Sequence, residues 1–308
     1  MEKPFAEIDW QSHDGLRLYA RVYEASDRSA PTVLCLHGLT RNSRDFEDLA
    51  PHLQRRYRVV VPDLRGRGLS PRDPNLQNYQ PAVYVQDILA LLAAVDAPRV
   101  AVIGTSLGGM LAMMLAFSHP ARIAGIVLND VGPEIDPAGI ERIKQYAGRL
   151  PAARSWDEAL AQTRAVYGDA WPGLAPDRWA ALARRGYRED AAGMVEIDAD
   201  PKIGEALRAA PAATLDLWPL WKALRGVPTL AIRGALSDIL SAATLSRMKS
   251  ENSDLELLEV ADRGHVPLLD EPECIDAVDT FLSKILCAPT PVPGRTRQPR
   301  WPTVLMCS

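Results

Sequence analysis

Residues 99–118 read Arg-Val-Ala-Val-Ile-Gly-Thr-Ser-Leu-Gly-Gly-Met-Leu-Ala-Met-Met-Leu-Ala-Phe-Ser. The run 100–103 is continuously apolar and stops at Gly104, as a buried strand does. After Gly109 the chain is rich in Leu, Ala and Met, all good helix formers. Ser106 stands at the junction, with Gly104 and Gly108 two residues to either side. A strand that turns at once into a helix holds its pivot in a strained conformation, and bulky neighbours would collide there. The pivot side chain projects into open space, and the free N–H groups of the helix start can bind a developing negative charge. Ser106 is therefore a candidate nucleophile. The bare Gly-x-Ser-x-Gly pattern should occur by chance in about one chain in ten of this length, so the rest of the sequence must decide.

Working outward, 5–10 and 16–23 read as two strands joined by His13-Asp14-Gly15. In the second, Leu16, Leu18, Ala20 and Val22 alternate with Arg17, Tyr19, Arg21 and Tyr23, which predicts one solvated face. Segment 32–36, apolar from Val33 on, reads as a strand covered on both faces, and 57–61, Tyr-Arg-Val-Val-Val, as the next buried strand. Between them Phe46, Leu49 and Leu53 mark a helix that Pro51 is expected to break. A helix opens at Pro81, and a strand over 122–128 ends at Asn129-Asp130. Strands alternating with helices imply a mostly parallel sheet covered on both sides. The rhythm stops at 133. From there to 222 the pattern is helical, with candidate helices at 137–149, 155–167 and 176–188. It resumes with a strand at 227–232, a helix near 241–249, a strand at 255–260 and a last helix at 272–286. The organisation expected is one α/β domain formed by 1–132 and 223–288, an inserted helical lid over 133–222, and a mobile Pro- and Arg-rich tail over 289–308.

Composition narrows the class. A formal charge of −4 offers no basic surface for nucleic acid. No apolar run reaches the length of a membrane span and no secretory leader opens the chain, so a cytoplasmic protein is expected. Four cysteines, Cys35, Cys274, Cys287 and Cys307, lack a C-x-x-C spacing, and no His, Cys and carboxylate cluster has metal-ligand spacing. No cofactor and no metal are expected. Nothing in the sequence fixes an oligomeric state.

A serine hydroxyl needs a base. Among five histidines, His265 follows the strand at 255–260, on the carboxyl rim where open α/β sheets gather their sites. The imidazole in turn needs a carboxylate. Asp238, after the preceding strand, is the first choice, and Asp130, at the end of the strand beside the Ser106 unit, is the alternative acid. The oxyanion donors expected are the main-chain N–H groups of Leu107 and Leu39, with Gly38 permitting close approach and His37 bracing the loop. Seven aromatics of the insert, Tyr146, Trp156, Trp171, Trp179, Tyr187, Trp218 and Trp221, are candidates to line an apolar acyl pocket. Of these Trp156, Tyr187 and Trp218, with His37 and Gly38, are taken as the substrate-binding set.

These motifs resemble the α/β-hydrolase superfamily. The likeness rests on His37-Gly38, the loop Asp63-Leu64-Arg65-Gly66-Arg67-Gly68-Leu69-Ser70, Gly104-Thr105-Ser106-Leu107-Gly108, Asp238 and Gly264-His265, in the order Ser, Asp, His. It implies a mostly parallel eight-stranded sheet flanked by helices, with an inserted helical cap. The activity it implies is that of a serine esterase or lactonase working through an acyl-enzyme on a small-molecule ester or lactone. The serine at the pivot sets apart members resembling haloalkane dehalogenases, which carry aspartate there. Hydrolysis of a carbon–carbon bond in a diketone acid is the alternative, although His265 is followed by Val266 where such enzymes often have tryptophan. A non-catalytic receptor or binding module is the third reading.

Overall fold

The computed structural model describes residues 3–210 and 216–286. The expected tail at 289–308, with Cys287 and Cys307, lies outside the described residues. The sheet strands are β1 (Ala6–Gln11), β2 (Arg17–Tyr23), β3 (Thr32–Leu36), β4 (Arg58–Pro62), β5 (Val100–Thr105), β6 (Ile123–Asn129), β9 (Thr229–Gly234) and β10 (Glu256–Val260). They form one eight-stranded sheet in the order β1-β2-β4-β3-β5-β6-β9-β10. Only the β1/β2 and β2/β4 pairings are antiparallel. From β4 to β10 every pairing is parallel, so the carboxyl ends of β3, β5, β6, β9 and β10 share one rim.

The period of two splits the core between the sheet's faces. Leu34, Leu36, Val100 and Val102 point to one side, against α2 (Pro81–Ala94), α3 (Leu107–Ser118) and, beyond the insert, α8 (Trp218–Ala223) and α9 (Ala242–Glu251). Val33, Cys35, Ala101 and Ile103 point to the other, against α1 (Leu49–Leu53) and α10 (Pro272–Leu286). The α10 stripe buries Val278, Phe281 and Leu282.

Two local expectations need correction. The second face of β2 is covered, with only Arg17 exposed. Tyr19 donates to Glu7 at 2.8 Å, and Phe5 packs on Tyr23 with the Arg21 guanidinium over its ring, so the flanking N-terminal residues shield it. The helix near Phe46 does come in two pieces, a 3-10 turn over Ser43–Phe46 and α1, but the break falls at Glu47-Asp48. Pro51 sits in the first turn of α1, where its missing N–H costs no hydrogen bond.

Between β6 and β9 lie α4 (Pro137–Tyr146), α5 (Trp156–Tyr167), α6 (Pro176–Gly186), a hairpin of β7 (Tyr187–Glu189) and β8 (Val195–Ile197), and α7 (Lys202–Ala209). Ser155 caps α5 by accepting from Glu158 N, while Glu158 reaches back to Arg154 N, a reciprocal cap. The hairpin and α7 replace what the sequence pattern left as connection. The insert is bound to the rim by polar contacts: Arg44 to Asp198, Arg185 to Asp48, and Gly264 N to Ala170 O at 2.7 Å. No described helix is long and apolar enough to cross a membrane.

Candidate active site

Ser106 is the hinge between β5 and α3, with φ 52° and ψ −114°. A non-glycine residue there carries a strain of about 1–3 kcal/mol that the surroundings must hold in place. The two glycines show how tight the turn is. A Cβ on Gly104 would lie 2.4 Å from the Gly108 and Gly109 backbone, and one on Gly108 would lie 2.1 Å from the Leu36 carbonyl oxygen. The main-chain N–H groups of Leu107 and Leu39 make no hydrogen bond among the described residues. Gly38 backs onto Ser106, since a Cβ there would lie 3.9 Å from Ser106 Cβ.

His265 Nε2 lies 3.0 Å from Ser106 Oγ. Its Nδ1 lies 2.7 Å from Asp130 Oδ2, so the acid beside the imidazole is Asp130 and the expectation of Asp238 is corrected. The reason is charge pairing. Asp238 is held by Arg142 of α4 through both guanidinium Nε and Nη2, at 2.5 and 2.9 Å. Burial acts to raise its pKa, and the Arg142 hydrogen bonds and charge outweigh it, leaving the carboxyl below its ordinary range. Asp130 is fully buried and accepts also from Ser237 Oγ at 2.6 Å and Gly234 N at 2.9 Å. Asn129 fixes the spacing: its carbonyl accepts from Ser106 N, and its side-chain amide donates to Pro267 O in the His265 loop at 2.9 Å.

His37 is fully buried and outside the cleft, which removes it from the substrate-binding set. Its Nε2 accepts from Leu64 N at 3.0 Å, so Nδ1 carries the proton and donates to Gly38 O at 2.8 Å. That carbonyl belongs to the Gly38–Leu39 peptide, whose N–H is one of the unpaired donors. Burial pushes the imidazole pKa down to about 4, which keeps this tautomer neutral.

Ser106 opens into a cleft of about 750 Å³, its mouth included. Gly38, Leu39, Tyr146, Tyr167, Trp171 and Arg41 are among its walls. Trp156 and Trp218 are not: Trp156 donates to Glu189 at 2.9 Å, and Trp218 donates to Glu134 at 3.0 Å with Arg247 over its ring. Tyr187 borders an adjoining recess and donates to Gln162. Tyr167, Arg41 and Arg185 are walls that the sequence reading did not select. Tyr167 closes α5 at its last residue, where helical periodicity carries no signal of facing a cavity.

The chain belongs to the alpha/beta hydrolase fold family, whose model matches residues 31–272. It is 33% identical over 274 residues to a 3-hydroxybutyrate-oligomer hydrolase of Cupriavidus necator, covering 85% of this chain and 92% of that one. A 2-(acetamidomethylene)succinate hydrolase of Mesorhizobium japonicum is 26% identical, covering 82% of this chain and 88% of its own length. The solved structure of an alpha/beta hydrolase from Novosphingobium aromaticivorans superposes with a TM-score of 0.88 at 44% identity, over 92% of this chain and 100% of that one.

Proposed function

We propose that the protein is a serine hydrolase that cleaves a carboxylic ester or lactone of small to medium size through an acyl-enzyme. The observation that carries this is the unbroken hydrogen-bonded line from the Asp130 carboxylate through the His265 imidazole to the Ser106 hydroxyl, at the floor of a cleft. In this reading His265 Nε2 takes the hydroxyl proton as Ser106 Oγ attacks the carbonyl carbon. The oxyanion is received by the N–H groups of Leu39 and Leu107, both without another partner among the described residues. The alcohol departs with the proton from His265. Water, deprotonated by the same nitrogen, then attacks the acyl group and frees the serine. Asp130 holds Nδ1–H toward itself and stabilises the imidazolium between the steps. The segment 133–222 acts as a cap, with Tyr146, Tyr167 and Trp171 supplying the apolar wall for the acyl chain. The relatives' names, a hydrolase of 3-hydroxybutyrate oligomers and one of a substituted succinate, agree with a small acid derivative as substrate.

A fluorophosphonate probe tests the nucleophile. One equivalent is expected on Ser106, with labelling abolished in Ser106→Ala and kcat for an aryl butyrate lowered by about 10⁴–10⁶-fold. Folded wild-type protein that takes up no probe, or Ser106→Ala protein that keeps its activity, overturns the assignment.

A further inference from the structure

The cleft beside Ser106 adjoins a second recess, and the two share a wall of Thr40, Arg41, Tyr146 and Tyr167. Arg41 is the cation in that wall, its side chain only 14% exposed. Nε donates to both oxygens of Asp45 and Nη2 to one of them, so a single edge of the guanidinium carries the whole pairing. Nη1 makes no hydrogen bond among the described residues. It reaches toward the recess because residue 186 has no side chain: a Cβ on Gly186 would lie 2.5 Å from it. Arg185, 12% exposed, lines the reaction cleft, while its own partners Glu47 and Asp48 do not. Two arginines and one aspartate thus line the walls, with Arg185 paired from outside the cleft by Glu47 and Asp48.

Resting on the hydrolase reading above, we infer that the ester taken by this site bears a carboxylate, held by Arg41 Nη1 at the wall between the two chambers. A guanidinium N–H left without a protein partner is open to an acceptor, and an anionic acceptor makes the stronger, charge-assisted bond. Asp45 already neutralises part of the field, which suits a single negative charge better than a dianionic phosphate. The reach is short. A Cβ on Gly38 would lie 3.6 Å from Arg41 Cγ and 3.9 Å from Ser106 Cβ, so the arginine stem begins beside the nucleophile. The carboxylate is therefore carried at about an arginine side chain's reach from the nucleophile, on either the acyl or the alcohol side of the scissile carbonyl.

Two substrate pairs separate these sides. Mono-4-nitrophenyl glutarate against 4-nitrophenyl pentanoate places the charge on the acyl part, and 3-acetoxybutanoate against its methyl ester places it on the alcohol. For at least one pair the anionic member is expected to have a kcat/KM about 10-fold or more above the neutral one, the scale of one charge-assisted hydrogen bond. That ratio should fall by about 10-fold in Arg41→Gln, and also in Gly186→Ala, which keeps the charge but displaces Nη1. Equal rates within both pairs, or a ratio unmoved by both variants, overturns the proposal. A binding arm needs no chemistry. Ser106→Ala protein, titrated with monomethyl glutarate and dimethyl glutarate and followed by tryptophan fluorescence, should bind the anion about 10-fold or more tighter. Equal affinities overturn the carboxylate site whatever the wild type hydrolyses. Selective anion binding in a protein whose wild type turns over none of the four esters upholds the site and sinks the hydrolase reading instead.

Discussion

Asp130 accepts from His265, Ser237 and the Gly234 main chain at once, while Asp238, a few residues from the same rim, spends its charge on Arg142. Asn at 130 would face His265 Nδ1 with an amide and favour the wrong tautomer, so Asp130→Asn is expected to lower kcat about 10³–10⁴-fold with little change in fold. Asp238→Asn should leave kcat within about threefold, since a lost half-exposed pair alters stability by about 1 kcal/mol or less. Steady-state kinetics on both variants checks this, and a larger loss in Asp238→Asn than in Asp130→Asn would reverse the assignment. Both aspartates end or follow a strand at the carboxyl rim, so sequence alone names the pair of candidates. What separates them is Arg142, 96 residues from Asp238, and no local pattern announces that contact. Ser106 differs, because its signal is compressed into five residues whose glycines answer to steric demands within the same turn.

The loop after β3 works as a unit. His37 is buried, neutral and committed on both nitrogens, and it fixes the peptide that carries the Leu39 N–H. With a folded-state pKa of about 4, the imidazole resists a proton that the unfolded chain accepts near pH 6.5. Stability from this group is therefore fully present above about pH 6.5 and is lost as pH falls toward 4, by up to about 3 kcal/mol. Urea midpoints at pH 7 and pH 5 should differ more for wild type than for His37→Asn, and equal differences would contradict the coupling. At the scale of elements, strong periodicity is legible: α10 occupies the predicted 272–286 and α6 begins at the predicted residue. The three-residue strands of the β7–β8 hairpin are too short to show alternation, and β2 misleads because its polar-looking face is covered by residues at the edge of the sheet.

Across the whole molecule, Arg65 ties parts that the chain keeps far apart. Its wholly buried guanidinium bonds Asp87 on α2, Asp73 in the following loop and Asp14 in the β1–β2 turn. Arg65→Met would leave the buried Asp73 and Asp87 carboxylates unmatched and should cost about 3–5 kcal/mol, read as a lowered urea midpoint. A variant as stable as the wild type would show that the carboxylates find other partners. The parallel sheet itself was legible from alternating apolar runs, and so were the cleft walls Gly38, Leu39, Tyr146 and Trp171, whereas Tyr167, Arg41 and Arg185 were not, because that side forms where the insert meets the rim. Trp218 and Trp156 read as pocket residues by composition, whereas tertiary packing gives them acidic partners instead.

The sheet's ladder sets how far Ser106 stands from Asp130: Thr105 pairs with Asn129, and each next residue hangs from a neighbouring strand's carbonyl. Only the imidazole rides on a loop. The inserted segment grips that loop twice, through Ala170 O on Gly264 N and Trp171 Nε1 on Val266 O. Any displacement of that segment would draw the imidazole away from the Ser106 hydroxyl, so the seating of residues 170–171 and the His265–Ser106 contact are held by one lever.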